Sequence, residues 1–456
     1  MEISREELHE SARPAQSADL IYGIDDRPPF KEALFAALQH LLAIFVAIIT
    51  PPLIIANALK LDLETTGFLV SMALFASGIS TFIQCRRFGP LGAGLLCIQG
   101  TSFSFIGPII TAGMMGGLPM VFGACIGGAP VEMIISRTFK YMRNIITPLV
   151  SGIVVLLIGL SLIKVGVVSC GGGYEAMDNG TFGSVRHIGV AATVLLSVLF
   201  FNRCKNKYLR MSSIVLGLCI GYALSFALGM VDLDAASSQS FTNLNIPQPF
   251  KYGIEFNVST IIAIGLVYLI TAIEATGDIT ANSMISGKSI EGKEYLRRVS
   301  GGVLADGFNS FLSGIFSSFP NSIFAQNNGI IQLTGVASRY VGYYIAGMLI
   351  LMGLFPVVGV VFSLMPDAVL GGATLLMFGT VAAAGIRIIA AQEINRKATL
   401  VLAVSLSLGL GVELMPDILN AAPDAVKGIF ASGITTGGLT AILSNILIHV
   451  KEEKKV

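Results

Sequence analysis

The chain has 456 residues, of which 54% are hydrophobic and only 12% charged, with a mean hydropathy of +0.77. A soluble globular protein carries about 25% charge, so a soluble domain is excluded and a polytopic helical membrane protein remains. The net charge of +1 points to no partner, and none made of nucleic acid is expected.

Residues 1–30 are polar and mixed in charge and lack the apolar core of a signal peptide, so the first span itself must direct insertion. Hydrophobic segments follow at about 33–57, 65–83, 92–116, 118–137, 145–166, 187–202, 211–231, 256–279, 300–319, 321–338, 341–364, 367–386, 396–414 and 429–449. The third and tenth of these fourteen are broken by Gly, Ser, Asn and Gln. The 5–6 loop is Gly-rich (Cys170-Gly171-Gly172-Gly173-Tyr174), and the 7–8 loop, with Pro247 and Pro249, is the longest; both read as connectors. With the N-terminus in the cytoplasm, the inner loops and tail collect the basic clusters Arg86–Arg87, Arg203–Arg210, Lys288–Arg298 and Lys451–Lys455, and the outer side keeps Lys60, Lys164, Arg186, Lys251 and Lys427. That asymmetry satisfies the positive-inside rule and places both termini inside.

The halves echo each other. Span 5 places Gly152 and Gly159 after Pro148, and span 12 places Gly372 and Gly379 after Pro366. The broken third span, Gln99-Gly100-Thr101-Ser102-Phe103-Ser104-Phe105, matches the tenth, Gln326-Asn327-Asn328-Gly329, in its order within the half. Seven spans per half is odd, so the second half runs inverted. Inverted repeats with paired interrupted helices mark secondary transporters, with the substrate site near the midplane at the breaks. Interrupted backbone at membrane depth survives only beside protein or a polar cavity, and half-helix N-termini present free N–H groups. Gln326 and Asn327 add amides that both donate and accept, and Phe103 adds a flat apolar face. A planar heterocycle fits such a pocket better than an ion.

Three carboxylates, Glu274, Asp278 and Asp306, lie inside apolar runs, where a bare charge costs about 3 kcal/mol on insertion scales. Glu274 and Asp278 are spaced i, i+4 on one helix face, where mutual repulsion favours protonation of one. Glu274 is placed to accept from a ring N–H, with Asp278 or Asp306 carrying a proton; alternatively the acids brace the fold, Asp306 at the break of span 10. His40 in span 1 either bonds Glu274 and titrates or holds a fixed structural partner. Glu132, Lys164 and Glu413 fall near span ends and read as snorkelling or capping residues. The six cysteines form no ligand pattern and read as reduced and structural, with no metal or other cofactor expected. Neither HExxH nor GxSxG occurs, so no enzyme is indicated.

The run Gln326-Asn327-Asn328-Gly329-Ile330-Ile331-Gln332-Leu333-Thr334-Gly335 resembles the signature of the nucleobase–ascorbate transporters: Gln/Glu/Pro, Asn, any, Gly, four of any, Thr, then Arg/Lys/Gly. Ala337-Ser338-Arg339, Gln39-His40, Gln99-Gly100-Thr101-Ser102-Phe103 and Glu274-Ala275-Thr276-Gly277-Asp278-Ile279-Thr280 extend the resemblance over about residues 30–450, towards the bacterial xanthine permeases. The resemblance implies an all-α fold of fourteen spans in two inverted sevens, with short strands in spans 3 and 10 crossing near the substrate. It also implies a core (31–140 and 253–364) that carries substrate, and a gate (141–232 and 365–449) that forms a homodimer contact in the bacterial inner membrane. Segments 1–30 and 450–456 would then be cytoplasmic.

It implies proton symport by movement of the core against the gate. Glu274 would bind the purine, Gln326 would make a second side-chain contact, Phe103 would stack, and main-chain groups at Ala325 and Asn327 would complete the pocket. Asp306, Asp278 and His40 would serve coupling or site geometry, and Gly329, Thr334 and Gly335 complete the signature. Gln326 and Asp278 follow the purine pattern, where uracil-type members carry Glu and His. Ser102 departs from the bulkier Asn of xanthine-selective members, leaving room for uric acid. Xanthine is thus expected first and uric acid second, with a broader nucleobase symporter or an anion permease of the same fold as alternatives.

Overall fold

In the computed structural model, residues 20–142, 147–206, 209–210, 212–231, 244–290 and 292–448 are described. The tail at 450–456, most of 1–30, and the basic residues Arg143 and Lys207 lie outside them.

The fourteen segments appear in the expected order. The first half holds α1 (Phe30–Ala58), α2 (Leu63–Arg86), β1 (Gln99–Thr101), α3 (Ile106–Met142), α4 (Pro148–Cys170), a short α5 (Gly173–Asp178), α6 (Val185–Arg203) and α7 (Ser213–Ala227). The second holds α8 (Val258–Ile285), α9 (Gly292–Ile315), β2 (Asn321–Ile323), α10 (Gln326–Thr334), α11 (Arg339–Leu354), α12 (Pro356–Ser363), α13 (Asp367–Ala390), α14 (Arg396–Leu414), α15 (Asp424–Phe430) and α16 (Gly433–Leu447). Among the described residues, eight helices are long and apolar enough to cross a bilayer alone; the other segments are short, interrupted or, like α9, too polar.

Local chemistry sets the ends. Asp62, Thr147, Asn257 and Asn395 accept from the first-turn N–H groups of α2, α4, α8 and α14. Spans 3 and 4 form one helical run, α3, broken where Gly116 (φ −149°, ψ 20°) and Gly117 (φ 67°, ψ −164°) leave helical values. α10 ends at Gly335, whose φ of 69° is the left-handed conformation that glycine adopts without strain. The carbonyl of Gly335 then accepts from Ile21 at 2.8 Å and Tyr22 at 3.2 Å, which ties the N-terminal segment beneath the signature.

The two halves share one unusual unit, a short strand followed by half a helix: β1 with the start of α3, and β2 with α10. The strands pair antiparallel, Gln99 opposite Ile323, Gly100 opposite Ser322 and Thr101 opposite Asn321. A side chain at Gly100 would lie 2.5 Å from the Phe324 ring and 2.6 Å from Ile48, so only glycine permits this crossing. The tenth span is interrupted at 316–325 rather than at Gln326-Asn327-Asn328-Gly329. Ser317, at φ 55°, and Pro320 end the preceding helix, and the amide-rich run opens the next one.

Most helix packing falls within two groups, α1–α3 with α8–α12, termed the core, and α4–α7 with α13, α14 and α16, termed the gate, while the short α15 lies chiefly against α8. α4 and α13 press together at glycines. A side chain at Gly159 would meet the Ala382 nitrogen at 2.3 Å, and one at Gly385 the Leu156 nitrogen at 2.4 Å. Gly379, the spacing counterpart of Gly159, faces open space. α1 is 83% buried over its most apolar window, α6 and α14 only 22%, so the gate carries the outermost helices.

Candidate functional site

The strand crossing is held by a polar network within the core. From α2, Thr81 Oγ1 accepts from the Gln99 N–H at 3.0 Å. From α9, Asn309 Nδ2 donates to Gln99 Oε1 at 2.7 Å, and Ser310 Oγ bonds both the carbonyl (3.0 Å) and N–H (3.1 Å) of Asn321. Gln99 Nε2 donates to Asp306 Oδ1. Asp306 is fully buried and holds β1 through this bond.

His40 donates from Nδ1 to Asn327 Oδ1 at 2.9 Å, and Asn327 Nδ2 donates to the Phe324 carbonyl at 3.1 Å. Of the two sequence readings of His40, the structure thus favours the fixed partner over a bond to Glu274. Asn328 Nδ2 reaches the Asp278 carbonyl at 3.3 Å, and Asn282 Nδ2 joins Asn328 Oδ1 at 2.9 Å and the Leu96 carbonyl at 3.0 Å. The first turn of α10 is thereby tied to α8, which carries Glu274 and Asp278. Ser102 is buried, and its N–H donates to the Pro320 carbonyl at 2.9 Å. Phe103 is half-buried and meets Phe378 of α13 edge-on, ring centroids 5.7 Å apart, so this ring bridges core and gate.

Ala325 and Gln326 are exposed although residues 320–324 before them and Asn327 after them are buried. Among the described residues, their N–H groups meet no acceptor, as the start of a helix requires. The Asn327 N–H, by contrast, is used on the Phe324 carbonyl at 3.2 Å, so the donors left free are those of 325 and 326 rather than 327. Glu274 and Asp278 are half-buried on α8, within electrostatic reach of each other and of Asp306. No lysine or arginine pairs with any of these acids among the described residues. The signature residue Thr334 caps its own helix, donating to the Ile330 carbonyl at 2.8 Å, while Gly329 faces open space.

The sequence reading missed Asn309, Asn282 and Glu132. The first two were legible as amides one turn after Asp306 and Asp278 on the same faces. Glu132 reads from hydropathy as a snorkelling or capping residue near a span end, but α3 continues to Met142 and buries it completely, which corrects that expectation.

Two inverted sevens with crossing strands at a polar centre define a membrane transporter rather than an enzyme. The chain belongs to the nucleobase–ascorbate transporter group of permeases: the model of the Permease family matches residues 31–418. Xanthine permease XanP of Escherichia coli K12 is 48% identical over 97% of this chain and 98% of its own length. Xanthine permease XanQ of the same strain is 48% identical over 94% of both chains. Among solved structures, the transmembrane domain of the cyanobacterial bicarbonate transporter BicA has a TM-score of 0.55 at 14% identity, covering 93% of this chain and all 100% of that one. The murine anion transporter Slc26a9 has a TM-score of 0.61 at 11% identity, covering 93% of this chain and 69% of that one. At such identities the likeness establishes the fold alone.

Proposed function

We propose that the chain is a proton-coupled symporter that imports xanthine, with uric acid as a second substrate, by elevator movement of the core against the gate. The observation that carries this reading is the free, accessible helix start at Ala325–Gln326, tied by the Asn328 amide to the helix that bears Glu274. The near-full-length identity to two xanthine permeases narrows the solute to a purine. Glu274 accepts from a ring N–H, Gln326 and the free N–H groups meet ring carbonyls and nitrogens, and Phe103 stacks on the plane. Asp278, Asp306 and His40 serve coupling and site geometry. The exposed apolar faces of the gate suit lipid and a second copy of the chain, and the basic loops set both termini in the cytoplasm. The proton is the coupling ion, and the membrane potential supplies about 2.3 kcal/mol per charge per 100 mV.

The test is uptake of radiolabelled xanthine by cells that lack purine uptake of their own, with and without a protonophore, against unlabelled uric acid, hypoxanthine, guanine and uracil. Protonophore-sensitive uptake, competed best by xanthine and then uric acid, is expected. No uptake at normal membrane abundance refutes the reading. The solved structures of similar fold include anion transporters, but residues 320–335 hold no basic residue to attract an anion, and bicarbonate or chloride should therefore leave uptake unchanged.

A further inference from the structure

Glu132 projects from α3 into the packed seam with α9. A side chain built at Gly307 would lie 3.1 Å from the Glu132 Cβ and 3.1 Å from the Met133 nitrogen, so the two helices touch there. The contact puts the Glu132 carboxyl beside that of Asp306, the residue before Gly307. Both residues are fully buried. Among the described residues, neither Glu132 oxygen receives a hydrogen bond, and neither does Asp306 Oδ2. The Thr271 hydroxyl on α8, which also faces Glu132, donates instead to the Tyr268 carbonyl at 3.2 Å, and the Tyr268 hydroxyl donates to the Cys125 carbonyl at 3.2 Å. Glu274 on α8 faces both carboxyl groups and Asp278 on the same helix faces Asp306, so both add negative charge, and the buried Cys97 thiol also lies near Asp306. Two carboxyl groups in this position, walled from water and without a cation, are stable when one donates a hydrogen bond to the other, which requires a proton.

We propose that Glu132 and Asp306 share a proton and form the proton-binding site of the transport cycle, behind the purine pocket and distinct from Glu274. The inference rests on the proton-coupled reading above. In the cycle the pair takes one proton from the outer side, passing from dicarboxylate to hydrogen dicarboxylate, and returns it to the cytoplasm. The strand crossing connects the pair to the substrate side. Asp306 Oδ1 accepts from Gln99, Gln99 lies opposite Ile323 in the strand pair, and two and three residues beyond Ile323 come Ala325 and Gln326. The charge on the pair thus bears on the strand crossing that presents the pocket.

The experiment uses full-length protein reconstituted in liposomes, with Glu132→Gln and Glu132→Asp. Glu132→Gln should keep xanthine binding and xanthine–xanthine exchange, lose accumulation above the external concentration, and make exchange insensitive to pH. Glu132→Asp should restore accumulation at least in part. Infrared difference spectra across a pH step should show a protonated-carboxyl carbonyl band in the wild type that Glu132→Gln removes and Glu132→Asp shifts. Undiminished accumulation by Glu132→Gln overturns the proposal, as does joint loss of binding and exchange, which would mark a structural residue. If Glu132→Gln does not reach the membrane, the wild-type and Glu132→Asp spectra decide, and an unshifted or absent band overturns it. A wild type that moves no xanthine sinks the transport reading instead, while the spectra still decide the pair.

Discussion

Glu274 lies partway along α8, half-buried, with one carboxyl oxygen that no group among the described residues satisfies. A group left so is held ready for a donor from outside the chain. Glu274→Gln keeps the shape and removes the charge, so it should abolish xanthine uptake while membrane abundance on immunoblots stays unchanged; normal accumulation would falsify the role. Phe103→Ala removes the stacking face, and if stacking here is worth what base–aromatic contacts are elsewhere, xanthine binding weakens by about 1–3 kcal/mol. Isothermal titration of the purified variant reads this directly, and an unchanged Kd would count against stacking. Ser102→Asn adds bulk at a buried position and should reduce uric acid competition more than xanthine uptake; equal losses would remove Ser102 from the selectivity argument. At this scale the acids Glu274, Asp278 and Asp306 were legible because charge inside an apolar run is costly and therefore conspicuous. Glu132 was not, because its place depends on where α3 ends, and helix ends are the least certain part of a hydropathy reading. The partner of His40 was also illegible, since Asn327 is brought to it by the turn after β2 and by no local pattern.

At the scale of elements, the strand-plus-half-helix units follow from what membrane depth tolerates. Extended backbone there needs another strand to pair with, so each interruption requires the other. The sequence carried the pairing of spans 3 and 10 through their polar composition. It misplaced the second interruption by a few residues, because Asn327, Asn328 and Gly329 are poor helix formers by propensity, yet here they sit in a first turn whose Asn side chains bond to His40, Phe324 and α8. The crossing itself depends on Gly100. Gly100→Ala forces a methyl against Phe324 and Ile48, and overpacking of this kind costs about 1–3 kcal/mol. The purified variant should melt earlier than wild type in detergent. Gly329→Ala is the contrasting change, with open space around it and a helix that favours alanine by about 1 kcal/mol. It should leave the melting temperature unchanged or raised, so that any loss of uptake reports on the site and not on folding. Equal destabilisation by both would show that the crossing is looser than its geometry states.

At the scale of the molecule, the elevator movement proposed above would require core and gate to hold and release each other. Among the described residues, two polar contacts join them at the ends assigned to the outer side. Asn57, near the end of α1, donates to the half-buried Asp367 at the start of α13. Lys60 pairs with Asp178 of α5 at 2.5 Å, with side chains 64% and 60% exposed. The exposed pair is screened by solvent and salt and contributes little. The less exposed bond to a carboxylate contributes about 1.5–3 kcal/mol, which corresponds to a population shift of about tenfold or more. Asp367→Ala should therefore favour conformations with the outer ends apart, whereas Asp178→Ala should barely move the balance. Spin labels on cysteines introduced at Val185 of the gate and Leu61 of the core can read the separation in liposomes. A longer distance population in Asp367→Ala, absent in Asp178→Ala, is expected. Identical distributions in wild type and Asp367→Ala would mean that the bond does not restrain the two groups, and that the barrier to their motion lies at the Phe103–Phe378 contact nearer the midplane.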